Sequence, residues 1–181
     1  MAINFTWRVT KYNPKYRDNR GKYLRKEWTS ISDIGNIIGD GDICVTIQDY
    51  ISTEDKYVRA ILDIMNCLDI QKLNIFGLEK WEDMIDISDF PALYNDKMIK
   101  LYSEISDGVC LEKEQISDLC RMILREKIWC KLKYDSKMYV HFGHDYYMFI
   151  GSEKRCQNII SNIEKFGLYV EDFISPINDE N

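Results

Sequence analysis

The chain has 181 residues, 45% hydrophobic and 30% charged, which is enough apolar material for a packed core in one domain spanning 1–181. Twelve Tyr, seven Phe and four Trp exclude a solvated coil, and the apolar runs are too short to cross a bilayer. A net charge of −6 disfavours direct binding of nucleic acid, and MAINFTWRVT lacks the basic-then-apolar order of a secretion signal, so a cytoplasmic protein with six free thiols is expected.

In chain order, INFTWRVT alternates, with Ile3, Phe5, Trp7 and Val9 on one side, and predicts a half-buried strand. Residues 11–30 follow as a basic, aromatic-studded loop or extended hairpin, with turn signals at Asn13-Pro14 and from Asp18 to Gly21. A helix is predicted to open at Ser52 or Thr53, with acids in its first turn and Tyr57, Ile61, Met65 and Leu68 on its apolar face. KLNIFGL reads as a short strand. Residues 79–94 show no regular period, and helices are expected over about 95–106 and 112–126.

Three strand patterns then come close together: IWCKLKY, KMYVHF and DYYMFI. A helix with Cys156, Ile159, Ile160 and Ile163 inward is closed by Gly167, and LYVEDFI supplies a last strand. The sum is a single α+β domain, an antiparallel sheet of about five or six strands with helices packed on one face.

Both histidines lie in YVHFGHDYYMFIG, at 141 and 144, beside Asp145. Phe142-Gly143-His144-Asp145 suits a two-residue type II′ hairpin turn, which pairs Phe142 with Asp145 and His141 with Tyr146. In that register His141 shares a face with Tyr139, Tyr146 and Met148, His144 is exposed, and Asp145 points away, so the three groups do not converge. A zinc site needs three or four ligands at one point, and no other histidine exists. The histidines therefore read as strand and turn. Cys130 or Cys156 approaching His141 would make a nucleophile pair, but buried cysteine is the commoner case.

GDGD at 39–42 lacks the other ligands of a calcium loop, and no glycine loop suits a phosphate. The acid pairs Glu82/Asp83 and Asp86/Asp89 stand in an open acidic stretch, where general acid–base catalysis has little to shift their pKa values. No catalytic, cofactor or metal residues are assigned. The protein is expected not to be an enzyme.

The charge is segregated. Residues 1–31 carry eight Lys/Arg against two Asp/Glu, 79–118 carry four against eleven, and 119–170 carry nine against five. Either these are ordinary solvated faces or the acidic middle meets a basic partner. Trp81 and Phe90, among those acids, either anchor a partner or close the core beneath the loop.

Two blocks, NFTWRVTKYNPKYRDNRGKYLRKEWTSISDIG (4–35) and REKIWCKL…YVHFGHDYYMFIGS…GLYVEDFISP (125–176), with the helix EDKYVRAILDIMNCLDI between them, resemble a family of bacterial immunity proteins. These accompany polymorphic toxins of the contact-dependent growth inhibition and WapA types, whose toxic tips are often nucleases. The resemblance covers about two-thirds of the chain, leaves 79–118 unmatched and carries over no functional residues.

It implies a protein that neutralises the C-terminal domain of its cognate toxin, a basic RNase or tRNase, by tight stoichiometric binding without cofactor, membrane or nucleic acid. The acidic stretch fits such a partner, with Trp81 as anchor and Glu82, Asp83, Asp86 and Asp89 as electrostatic contacts. The alternative is a nucleic-acid- or nucleotide-binding regulatory module using segment 8–28, where Arg8, Lys11, Lys15, Arg17, Arg20, Lys22, Arg25 and Lys26 stand among Trp7, Tyr12, Tyr16, Tyr23 and Trp28.

Overall fold

A computed structural model describes residues 2–39 and 44–177. Most of the GDGD stretch, 40–42, and the end of the acidic tail, 178–181, lie outside the described residues. The elements run β1 (Phe5–Thr10), α1 (Ile47–Cys67), β2 (Lys72–Lys80), α2 (Asp96–Glu104), β3 (Cys110–Glu112), α3 (Lys113–Leu124), β4 (Ile128–Tyr134), β5 (Met138–Phe142), β6 (Met148–Ser152), α4 (Gln157–Lys165) and β7 (Tyr169–Asp172).

Among the described residues the strands form one antiparallel sheet in the order β3-β2-β4-β5-β6-β1-β7. The seventh strand, absent from the sequence prediction, is β3. It spans only Cys110–Glu112, too short for its alternation to stand out, and pairs with the start of β2.

Strand alternation decides which face is covered. Trp7, Val9, Ile75, Cys130, Leu132, Val140, Met148 and Ile150 all enter one core with Tyr57, Ile61 and Met65 of α1, Met98 of α2, Leu119 of α3 and Ile163 of α4. The helices therefore lie on that face. On the other, Tyr139 stacks on His141 at 4.4 Å, and Phe149 meets Phe173 at 5.8 Å. Gly151 opposes Tyr139 across the strands, and a Cβ there would fall 2.1 Å from the tyrosine ring. Only glycine lets that ring lie flat on the sheet.

Three expectations are corrected. First, α1 opens at cap Thr46, well before Ser52 or Thr53. Thr46 Oγ1 accepts from the Asp49 amide at 3.1 Å and Asp49 accepts from the Thr46 amide at 3.0 Å. This reciprocal pair satisfies two helix-end donors, and it brings Tyr50 onto the buried face.

Second, the β5–β6 connection is the loop 143–147, with no two-residue turn. His141 pairs with Phe149 and Phe142 with Met148, so Phe149, not Tyr146 or Met148, shares the face of His141. Tyr146 leaves the ladder because its ring packs on Trp28, Tyr50 and Tyr57, while its carbonyl accepts from the Tyr57 hydroxyl at 2.6 Å. Aromatic burial overrides the local turn chemistry.

Third, Cys67 and Cys156 form a disulfide with Cα atoms 6.2 Å apart, whereas all six thiols were expected free. The packing of α4 on α1 brings together two cysteines 89 residues apart, a spacing from which no pairing can be read. Cys44 and Cys110 are exposed thiols, and Cys120 and Cys130 are buried. The basic segment 11–30 is a compact loop with a single bridge, Arg17 to Tyr23, and no extended hairpin.

Under the sheet lies a buried ion-pair network. Glu54 of α1, fully buried, accepts from Arg125 Nε and Nη2 at 2.7 and 2.6 Å and from Arg121 Nη1 at 2.7 Å. Arg125, 4% exposed, also donates to the Leu93 carbonyl and faces the Tyr94 ring. The network thus joins two helices to the end of the acidic stretch. Among the described residues no helix is long and apolar enough to cross a membrane.

Candidate functional site

Strand β2 ends irregularly: its pairing with β4 shifts between Phe76 and Glu79, where Gly77 takes φ +62° beside the Trp129 ring. Lys80 Nζ donates to the Tyr102 carbonyl at 2.6 Å, and the Tyr102 hydroxyl donates to the Glu82 carbonyl at 2.7 Å. These bonds fix where the chain leaves the sheet. Residues 81–90 then run without helix or strand until Pro91–Leu93 makes a short 3-10 turn, held from below by Arg125. The segment is irregular in the middle and tethered at both ends.

Its exposed side chains are those that the charge pattern singled out. Trp81 is 60% exposed and Met84 81%, and Glu82, Asp83, Asp86 and Asp89 are all exposed. The Ser88 amide donates to Asp86 at 2.9 Å, and this bond holds the Asp86 carboxyl below the usual carboxylate range. Trp81 and Phe90, which shared two readings in the sequence, part company: Phe90 packs against the core and Trp81 does not.

Trp81 stands where three concavities meet. One, of about 420 Å³, is lined by Trp129, Glu126, Asp145 and Tyr146 over a floor that includes Tyr57 and Ile128. A second, of about 560 Å³, adds Glu79, Phe149 and Ile177. The third, of about 100 Å³, holds Glu82, Asp86 and Lys127. Asp83 and Asp89 line none of these and sit on the outer surface.

Trp129 is held by its indole N–H, which donates to the Phe142 carbonyl at 2.8 Å. Glu126 and Asp145 both adopt positive φ, +58° and +54°. Burial, reinforced by Asp145 and Asp33, pushes the Glu126 carboxyl above its ordinary value.

No match to this chain is found among family models, curated proteins or solved structures. Its chemistry must be read from its own geometry.

The histidines are separated. His141, 2% exposed, lies on the face away from the helices, with Nδ1 2.9 Å from Ser175 Oγ. His144 is exposed in the 143–147 loop and, with Asp145, lines the Trp81 cleft. Cys130 points into the core while His141 points to the opposite face, and burial pushes the Cys130 thiol far up. Cys156 is held in the disulfide. Neither cysteine forms a nucleophile pair with His141. Among the described residues no three His, Cys, Asp or Glu side chains gather as around a metal ion.

Of the eight cations in the basic segment, Arg8, Lys11 and Arg17 are engaged within the fold, while Lys15, Arg20, Lys22, Arg25 and Lys26 are exposed. Arg25 lies 3.4 Å from the Tyr16 ring centre and Lys11 4.0 Å from that of Trp28. Arg8 makes two bonds to Glu171 at 3.1 and 2.8 Å, and Arg17 donates to the Tyr147 hydroxyl at 2.8 Å. Burial drives the Lys11 ammonium down to about 8 despite Glu27 at 3.4 Å. Tyr12, Tyr16, Tyr23 and Trp28 thus pack on one another or against the segment's own cations, which leaves fewer ring faces for stacked bases.

Sequence reasoning reached Trp81 and the acids but not Trp129 or Glu126, nor the place of Asp145 beside them. The one available signal was that Trp129 alternates against the inward Ile128 and Cys130, which turns an indole away from the core.

Proposed function

We propose that this chain is an immunity protein, a cytoplasmic stoichiometric inhibitor that binds the C-terminal domain of its cognate toxin and performs no chemistry itself. The observation that carries the reading is the tethered segment 81–90, where Trp81 and Met84 project among four exposed carboxylates. Tight protein inhibitors draw their affinity from a few aromatic anchors inside a polar rim. An acidic rim suits a nuclease, whose substrate-binding surface is basic, because opposite charge speeds encounter and rejects wrong partners.

The resemblance of 4–35 and 125–176 to toxin-linked immunity proteins supports the same reading. A rigid scaffold serves it as well: the Glu54–Arg125 network and Lys80–Tyr102 fix the segment before any partner arrives, which lowers the ordering cost of binding.

The test is co-expression with the toxin domain encoded beside this gene. A stoichiometric complex and restored growth are expected. Reversing Glu82, Asp83, Asp86 and Asp89 to lysine is expected to slow association by about ten- to a hundredfold at low salt, and the loss should shrink as salt rises. Absence of both complex and rescue would discard the proposal.

A further inference from the structure

We propose that the cleft beside Trp81 is a seat for one arginine side chain of the protein partner, whose guanidinium stacks on Trp81 and is met by the carboxylates of Glu126, Asp145 and Glu79. This rests on the reading that the partner is a basic protein, and it names the group by which that partner is gripped.

The composition of the walls argues for a cation. The two larger cavities share Trp81, Trp129 and Asp145; one adds Glu126 and the other Glu79. No lysine or arginine among the described residues lines either of them, and the one basic side chain in both walls is the exposed His144. The chain's own guanidinium groups reach these walls only at Tyr147, where Arg17 donates to the hydroxyl and Arg17 and Arg8 lie 5.3 and 5.8 Å from the ring centre, both paired with Glu171; Lys127 lines the small cavity that also meets Trp81. Trp81 is 60% exposed at the junction, so an indole face is open to a ligand and not consumed by the core.

The shape argues for a long, amphipathic side chain. Tyr57, Ile123, Leu124 and Ile128 give one cavity an apolar floor, which suits a methylene stem, while the carboxylates stand at its edge. Tyr146 lines the same cavity, is 5% exposed, and has a hydroxyl that makes no hydrogen bond of ordinary geometry.

Guanidinium is favoured over ammonium because it is planar, weakly hydrated and rich in donors. It can therefore stack on an indole while bonding to more than one carboxylate.

The experiment uses the full chain alone, labelled with ¹⁵N so that the four indole N–H signals are resolved. It is titrated with N-acetylarginine methylamide and, separately, with the neutral isostere N-acetylcitrulline methylamide. Saturable movement of the Trp81 signal by the arginine compound is expected, with a Kd on the order of a millimolar, and none by citrulline. Trp81→Phe keeps an aromatic face and should retain binding seen at neighbouring signals, whereas Trp81→Ala, and Glu126→Gln with Asp145→Asn, should each weaken it at least tenfold. Trp81 is exposed and asparagine tolerates positive φ, so these variants are expected to fold, which circular dichroism checks.

Equal responses to arginine and citrulline, no saturable response, or an unchanged titration in the Trp81→Ala protein would each overturn the seat. The inhibitor reading stands or falls separately. A toxin complex whose affinity these variants leave unchanged removes the arginine seat and keeps the inhibitor. Arginine binding without any toxin complex does the reverse.

Discussion

Glu54→Ala is the substitution whose cost can be worked most directly from the structure. Glu54 is fully buried and accepts three charge-assisted bonds of 2.6–2.7 Å, two from Arg125 and one from Arg121. Its removal leaves the Arg125 guanidinium 4% exposed, with only the Leu93 carbonyl and the Met98 sulfur as remaining acceptors.

Breaking a buried pair from one side costs about 3–5 kcal/mol, because the stranded charge must be desolvated without compensation. For a chain of this length that corresponds to a fall in Tm of roughly 10 °C. Arg121→Met should cost much less, about 1 kcal/mol, because Glu54 keeps both bonds from Arg125 and the other pair lost is with the half-exposed Asp55.

Urea unfolding followed by far-ultraviolet circular dichroism gives these numbers. The double variant Glu54→Leu/Arg125→Met provides the internal control, since replacing both charges with apolar side chains should recover most of the loss. A cost below about 1 kcal/mol for Glu54→Ala, or a double variant less stable than either single one, would refute the reasoning. Because Arg125 also holds Leu93 and Tyr94, the same variant should raise amide exchange across 81–94.

Gly151→Ala would place a methyl 2.1 Å from the Tyr139 ring, and displacing that ring from its stack on His141 should cost at least about 1–3 kcal/mol in the same unfolding assay. Lys11 binds its proton less tightly folded, at about 8, than unfolded, at 10.5. Between those values the unfolded chain holds more protons, so stability should climb above pH 8, on the order of 1–2 kcal/mol after solvent screening, and Lys11→Met should abolish the climb. Tyr12, Tyr50, Tyr57 and Tyr146 are all pushed up by burial, so near pH 10 only the unfolded chain begins to ionise them and stability should turn downward. Alkylation of the unfolded, unreduced protein should label four thiols, and six after reduction; Cys156→Ser should cost at most about 4.6 kcal/mol, the loop-closure value for this separation.

What the sequence disclosed depended on how local each feature is. β1 and β4 were legible because their alternating residues bury on one side within a few positions, and the face of α1 was legible from Tyr57, Ile61 and Met65. The start of α1 was missed because Ser52 and Thr53 resemble caps, while the cap with a reciprocal partner is Thr46. The β5–β6 turn was misread because Gly143-His144 looks like a turn locally, whereas Tyr146 is claimed by three rings from two distant parts of the chain, Trp28 and helix α1.

The candidate site divides in the same way. Its acids form a run and could be found, but the cleft beside them is assembled from residues near 79–81, 126–129, 142–147 and 176–177. No single stretch encodes it.

The position of β1 carries a consequence for how this protein is made. The strand is laid between β6 and β7, so Phe5 waits for Ser152 and Thr10 for Tyr169. At about 5–20 residues per second on the ribosome, that delay is on the order of ten seconds. Throughout it, an apolar strand with both edges unpaired is free to meet other nascent chains. The sheet can close only after nearly all of the chain has emerged, and its long-range pairings put folding in the slower, millisecond-to-second range. Rapid overproduction should therefore drive this protein toward aggregates more readily than its finished stability would indicate, and slower synthesis or chaperones that shield β1 should recover it.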